Sequence, residues 1–200
     1  INTRLSSREV RHILEHSGAR IVFVDAELES LVGEPPEGVE VIRVDDDGQS
    51  TDPYEQLLAE GDPAGVPSPL LDEEEPITIN YTSGTTGRPR GVIYTHRGAY
   101  LNCFGEIIHS RNDENSVYLW TLPMFHCNGW CTPWSLTAIG GTHVCLREVR
   151  GDAIWEQLRE HNVTHLNAAP TVVSTILNAP EAGPLTRPVL PPTAHARTTL

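Results

Sequence analysis

The chain reads as an α/β protein, with layered helices and largely parallel sheets. Short apolar runs rich in β-branched residues alternate with segments of helical period along most of its length. Glycines, prolines and capping residues fall between them, where α/β units change direction. With 200 residues, 38% of them hydrophobic, there is material for one domain with a real core. No internal repeat is evident.

Taken in order, Ser6-Ser7-Arg8-Glu9 has the spacing of a capping box. Val10, Ile13 and Leu14 follow at helical spacing, and Gly18 supplies a left-handed stop. Residues 21–24 (IVFV) read as a short buried strand. From 33 to 75 the chain loosens around Pro35-Pro36 and Asp45-Asp46-Asp47, with a strand at 39–44 and a helix at 54–59. A strand at 77–81 precedes the loop described below, and beyond it extended chain at 92–94 leads to a helix capped by Thr95 and running to about 109. Strands at 117–122, 142–146 and 163–168 then alternate with helices at 130–139, at 152–160 capped by Asp152, and at 171–177. Gly140-Gly141 closes the first of these helices, while Ile154 and Leu158 mark the inner face of the second. The implied organisation is a helix-strand portion at 1–61, a solvated connection at 62–75, a second portion at 76–183 and an unassigned tail at 184–200.

Composition excludes several function classes. The formal net charge of -13, from 27 acidic and 14 basic residues, argues against a general nucleic-acid binder. All of the basic residues are arginine, and lysine is absent. No apolar run approaches the roughly 20 residues of a membrane span, and no signal peptide is visible, so the cytoplasm is the expected compartment. Cys103, Cys127, Cys131 and Cys145 are expected to be buried free thiols. The chain starts at Ile1 and its single methionine is Met124, which reads as a piece of a longer protein.

The stretch YTSGTTGRPRGV at 81–92 concentrates hydroxyls, glycines and positive charge in an acidic chain. Gly84, Gly87 and Gly91 offer backbone freedom to turn amides toward one anion. Thr82, Ser83, Thr85 and Thr86 add hydroxyl donors, and Arg90 adds a planar cationic fork suited to phosphate. Arg88, His96 and Arg97 raise the local potential. Neither the G-x-x-x-x-G-K-[ST] nor the G-x-G-x-x-G spacing is met. A glycine-rich turn that only reverses the chain would not need so many donors.

YTSGTTGRPRGV resembles the phosphate-loop signature of the adenylate-forming superfamily, which includes acyl-CoA synthetases, firefly-type luciferases and peptide-synthetase adenylation domains. The departure is Arg90, where that family usually has lysine. INTRLSSREVRHILEHSGARIVFVD at the start, LPMFHCNGW at 122–130 and NAAPTVVSTIL at 167–177 resemble further segments of fatty-acyl-CoA synthetases, so the likeness covers about residues 1–178. It implies part of the N-terminal domain of the adenylate-forming fold. The family's adenine, ribose and hinge segments and its small C-terminal domain are not found in these residues, so the chain alone is expected to be inactive.

The resemblance implies ATP-dependent activation of a carboxylic acid, expected to be a fatty acid, first to acyl-AMP and then to acyl-CoA. ATP, Mg²⁺ and CoA would be required, and Thr82, Ser83, Gly84, Thr85, Thr86, Gly87 and Arg90 would cradle the phosphates. His126 would lie beside the acyl carboxylate, and Trp130 and Thr171 would line the acyl pocket. A metal reading of His126, Cys127 and Cys131 fits poorly, because structural zinc sites present two close cysteine pairs. Trp130 and Trp134 at helical spacing could instead serve only as core. Two other readings stand beside the ligase: an adenylation domain for another carboxylate, and a truncated nucleotide-binding protein without turnover. A homodimer of the parent is left open.

Overall fold

The computed structural model describes residues 1–65, 72–82, 89–186 and 188–189. They form two compact units, Ile1–Ile93 and Tyr94–Leu200.

In the first unit, α1 (Ser7–Ser17) starts at the expected capping box. Glu9 Oε2 accepts the Ser6 amide at 2.9 Å, and Gly18 ends the helix at φ 69°. Strand β1 (Ile21–Asp25), the single-turn helix α2 (Glu29–Val32) and strand β2 (Glu40–Val44) follow. The two strands pair in parallel, from Ile21 opposite Glu40 to Asp25 opposite Val44. Val10, Leu14, Val24 and Val32 form the core here. The expectation of a buried strand at 21–24 is corrected: Ile21 is 48% and Phe23 52% exposed, and only Val24 is buried. Successive side chains alternate between faces, so Val22 and Val24 meet the core while Phe23 turns away to meet Tyr54 edge-on.

Helix α3 (Pro53–Ala59) is capped by Asp52, which is 2% exposed. Its carboxylate accepts the Tyr54 amide at 2.9 Å and the Asp45 and Asp46 amides at 3.0 and 3.1 Å, tying the helix to the chain leaving β2. A buried carboxylate is stable when its lone pairs are occupied in this way. Strands β3 (Pro76–Thr82) and β4 (Arg90–Thr95) pair as a separate two-stranded sheet.

The second unit opens with α4 (His96–Ser110), whose Gly98 amide donates to the Thr95 hydroxyl at 3.2 Å. Strand β5 (Val117–Leu119), helix α5 (Thr132–Ala138), strand β6 (Thr142–Val144), helix α6 (Gly151–Glu160), strand β7 (His165–Leu166) and helix α7 (Pro170–Leu177) follow. The sheet order is β6-β5-β7, with both pairings parallel. Both faces are covered, as parallel sheets require. Leu119 and Val144 pack with Ile154, Trp155, Leu158 and Val163, and Tyr118 and Trp120 pack with Leu136.

Three local expectations change. The strands are shorter than the apolar runs; beyond Leu119 the Thr121 amide turns back to the Leu119 carbonyl. Helix α6 begins at Gly151, so Arg150 occupies the cap position and Asp152 lies in the first turn, paired with Arg150 at 3.1 Å. The carboxylate still favours the positive helix end without capping it. Of the four free cysteines only Cys103 and Cys131 are buried, while Cys127 is half-buried and Cys145 exposed. In the stretch left unassigned, Leu185 and Val189 pack on the core; just before it, the Glu181 carbonyl accepts from Arg159, whose guanidinium covers the Trp155 ring. Residues 187 and 190–200 lie outside those described. Among the described residues no helix is long and apolar enough to cross a membrane.

Candidate functional site

The glycine-rich loop is framed by a strand pair. Thr82 is the last residue of β3 and Arg90 the first of β4; both are exposed. Ser83, Gly84, Thr85, Thr86, Gly87 and Arg88 lie outside the described residues. Gly91 has a different reason to be glycine than the one expected. Its φ is not in the left-handed region, but a Cβ there would lie 2.7 Å from Ile79 Cγ2 and 3.4 Å from Tyr81 Cζ. The close approach of neighbouring side chains, not a positive φ, demands glycine here.

The second motif occupies the carboxyl edge of the β6-β5-β7 sheet. Strands β5 and β7 are parallel neighbours, so the chain carrying His126 and the chain leading to Thr171 leave from the same edge. The Thr121 hydroxyl donates to the Asn167 carbonyl and ties the two departures together. This edge is where open α/β sheets place ligands. His126 is exposed and extended, with Nε2 3.8 Å from Cys127 Sγ. Thr171 is exposed in the first turn of α7, and Trp130 is half-buried.

The helix expected over 130–139 is not formed as such. Cys127, Asn128, Gly129, Trp130 and Cys131 all have positive φ, between 47° and 63°, and α5 starts only at Thr132. Trp130 and Trp134 therefore do not share one helical face. Left-handed backbone costs about 1–2 kcal/mol for an ordinary L-residue, with Gly and Asn spared most of it. Three of these five, Cys127, Trp130 and Cys131, bear the full cost, so the turn needs outside support. Asn102 on α4 donates to the Trp130 carbonyl at 3.3 Å, and the Cys103 thiol points at the Cys131 carbonyl at 3.6 Å. The Trp120 ring fills the space beside Gly129, where a Cβ would approach Cζ3 to 2.5 Å.

Trp120 is itself fixed. Its indole N–H donates to His143 Nδ1 at 3.0 Å, and His143 Nε2 lies 3.1 Å from the Thr137 hydroxyl, which donates to the Pro133 carbonyl at 2.6 Å. An indole can only donate, so Nδ1 must be the acceptor and the proton of neutral His143 belongs on Nε2. Burial pushes the His143 pKa down, consistent with the neutral ring this relay needs. Beneath it, burial holds the Tyr118 phenol up at about 12, with Thr132 and Asn167 as neighbours of the hydroxyl. Tyr118 Oη and Thr132 Oγ1 nonetheless have no hydrogen-bond partner among the described residues. Asn102, Trp120 and His143 carried no signal in the sequence, because their partners lie 23 to 28 residues away.

Parallel strands with helices packed on both faces define an α/β protein. The chain belongs to the AMP-binding enzyme family, whose model matches residues 1–192. It is 40% identical to a trans-cinnamate:CoA ligase of Petunia hybrida over 90% of the chain and 36% of the ligase. It is 36% identical to an acetate/butyrate–CoA ligase of Arabidopsis thaliana over 99% of the chain and 38% of that ligase. The chain thus spans little more than a third of these relatives. Among solved structures, the N-terminal domain of FACL13 from Mycobacterium tuberculosis superposes with a TM-score of 0.76 at 27% identity, covering 90% of this chain and 45% of that one. The adenylate-forming fold expected from the motifs is confirmed by these matches.

Proposed function

We propose that this chain is the phosphate-loop portion of an acid–CoA ligase that activates a carboxylic acid as an acyl-adenylate. The observation that carries the reading is the glycine-rich segment framed by Thr82 and Arg90 on paired strands, in a chain whose relatives are named as CoA ligases. In the first step a carboxylate oxygen attacks the α-phosphorus of ATP and pyrophosphate leaves. In the second, the CoA thiol attacks the acyl carbon and AMP leaves.

Charge accumulates on the departing phosphates, so preorganised donors lower the first barrier. The Thr82 hydroxyl and the Arg90 guanidinium, with Ser83 to Gly87 between them, supply those donors. Arg90 in place of lysine keeps the charge and adds a bidentate fork. Mg²⁺ would enter with ATP, held by phosphate oxygens and water. His126, exposed at the carboxyl edge of the sheet, would orient the acid, with Trp130 and Thr171 bounding its acyl part.

The relatives' names extend the acid class from fatty acids to acetate, butyrate and cinnamate. ATP–pyrophosphate exchange on the full-length parent, with acetate, butyrate, cinnamate, palmitate and an amino acid, tests the reading. Exchange driven by one of the four non-amino acids, followed by CoA-dependent release of AMP, is expected. Exchange with the amino acid alone would transfer the chain to the peptide-synthetase class, and no exchange with any acid would remove the ligase assignment. The cytoplasmic expectation meets relatives named peroxisomal, and fluorescence localisation of the parent decides between them.

A further inference from the structure

The YTSGTTGRPRGV motif begins with a tyrosine to which phosphate chemistry assigns no task. In the first unit, Tyr81 Oη lies 2.7 Å from His16 Nδ1, across 65 residues of sequence. The two rings meet edge to face at 5.8 Å and 83°, and His12, one turn back on α1, stacks obliquely on His16 at 5.5 Å. The same end of the Tyr81 ring borders Gly91, where any Cβ would collide with Ile79 and come within 3.4 Å of Tyr81 Cζ. Tyr81 is therefore held at its tip by α1 and bordered there by β4.

Those contacts fall on the two feet of the loop. Tyr81 immediately precedes Thr82, and Gly91 immediately follows Arg90. Donors on strand ends that are held in place have less conformational entropy to lose on meeting an anion than donors on ends that can shift. We propose that His16 is a positioning residue for the nucleotide triphosphate, holding Tyr81 so that Thr82 and Arg90 are presented in register. His16 touches no phosphate; it acts through the tyrosine. The inference rests on the ligase reading above, because it needs ATP as the ligand of Thr82 and Arg90.

A net hydrogen bond corresponds to about threefold to tenfold in an equilibrium constant. In the full-length parent, His16→Ala and Tyr81→Phe should each raise KM for ATP in pyrophosphate exchange by that factor, with KM for the acid unchanged. The double variant should be no worse than either single one, since both remove the same bond. His16→Asn, whose side-chain amide can replace Nδ1, should recover most of the loss. An unchanged KM for ATP in His16→Ala, an equal rise in both KM values, or additive single effects would overturn the proposal. Absence of any exchange in the unsubstituted parent would instead overturn the ligase reading, and this inference with it, so the two failures are distinct.

Discussion

Replacing Gly129 by alanine probes the left-handed turn, and Gly140 supplies its control. Both glycines have positive φ, 53° and 74°, so alanine at either position incurs about 1–2 kcal/mol of backbone cost. They differ in what the new methyl would meet. At Gly140 there is nothing within 4 Å, whereas at Gly129 it would lie 2.5 Å from Cζ3 of a buried Trp120. That ring cannot simply move aside, because its N–H is held by His143 at 3.0 Å. Overpacking of this kind costs about 1–3 kcal/mol. Gly129→Ala should therefore lose about 2–5 kcal/mol and Gly140→Ala only about 1–2 kcal/mol. For a chain of this size the difference lowers Tm by a further 2–12 °C or so. Urea titrations of the two variants, followed by tryptophan fluorescence, measure it directly. Equal destabilisation would refute the reasoning, since the Trp120 contact would then contribute nothing.

Asp52→Ala removes the cap of α3 and the shared acceptor of the Asp45 and Asp46 amides, and should cost about 1–3 kcal/mol, read from the same titration. His143 and His165 both have pKa values lowered by burial. The unfolded chain then binds protons first, so stability is full above about pH 6.5 and falls as pH drops toward the two lowered values. Thermal melts from pH 8 to pH 5 check the sign, and His143→Gln should flatten part of the slope. In the full-length parent, Arg90→Ala should lower kcat/KM for ATP by about tenfold to a hundredfold, the worth of charge-assisted bonds; unchanged exchange would remove its phosphate role. Trp130→Ala should shift the ratio of kcat/KM between a long and a short acid by about tenfold or more, with ATP kinetics little altered.

What could be read from the sequence was what neighbouring residues decide. The Ser6–Glu9 box, the Gly18 stop and the Thr95 cap are satisfied within a few residues, and all three are where the spacing placed them. The alternation that predicted a parallel α/β frame is likewise local, repeated along the chain. The candidate site was legible as a list of residues but not as a geometry. In Phe125-His126-Cys127-Asn128-Gly129-Trp130 only Asn128-Gly129 favours left-handed backbone locally; the reversal at Cys127, Trp130 and Cys131 depends on groups from α4 and on Trp120. Gly91 shows the same limit. The residue was noticed, but the side chains that require it became visible only once β3 and β4 were paired.

The turn at 127–131 also fixes where α5 can begin. Pro133 is accommodated in the first turn of that helix, but in a helix run back through the turn it would crowd the Gly129 carbonyl and leave it without a donor. Left-handed residues and proline thus agree on one boundary, and Asn102, Cys103 and Trp120 act as a latch that holds it. Weakening the latch would release the turn without adding helix, so ellipticity near 222 nm should hold while tryptophan fluorescence changes.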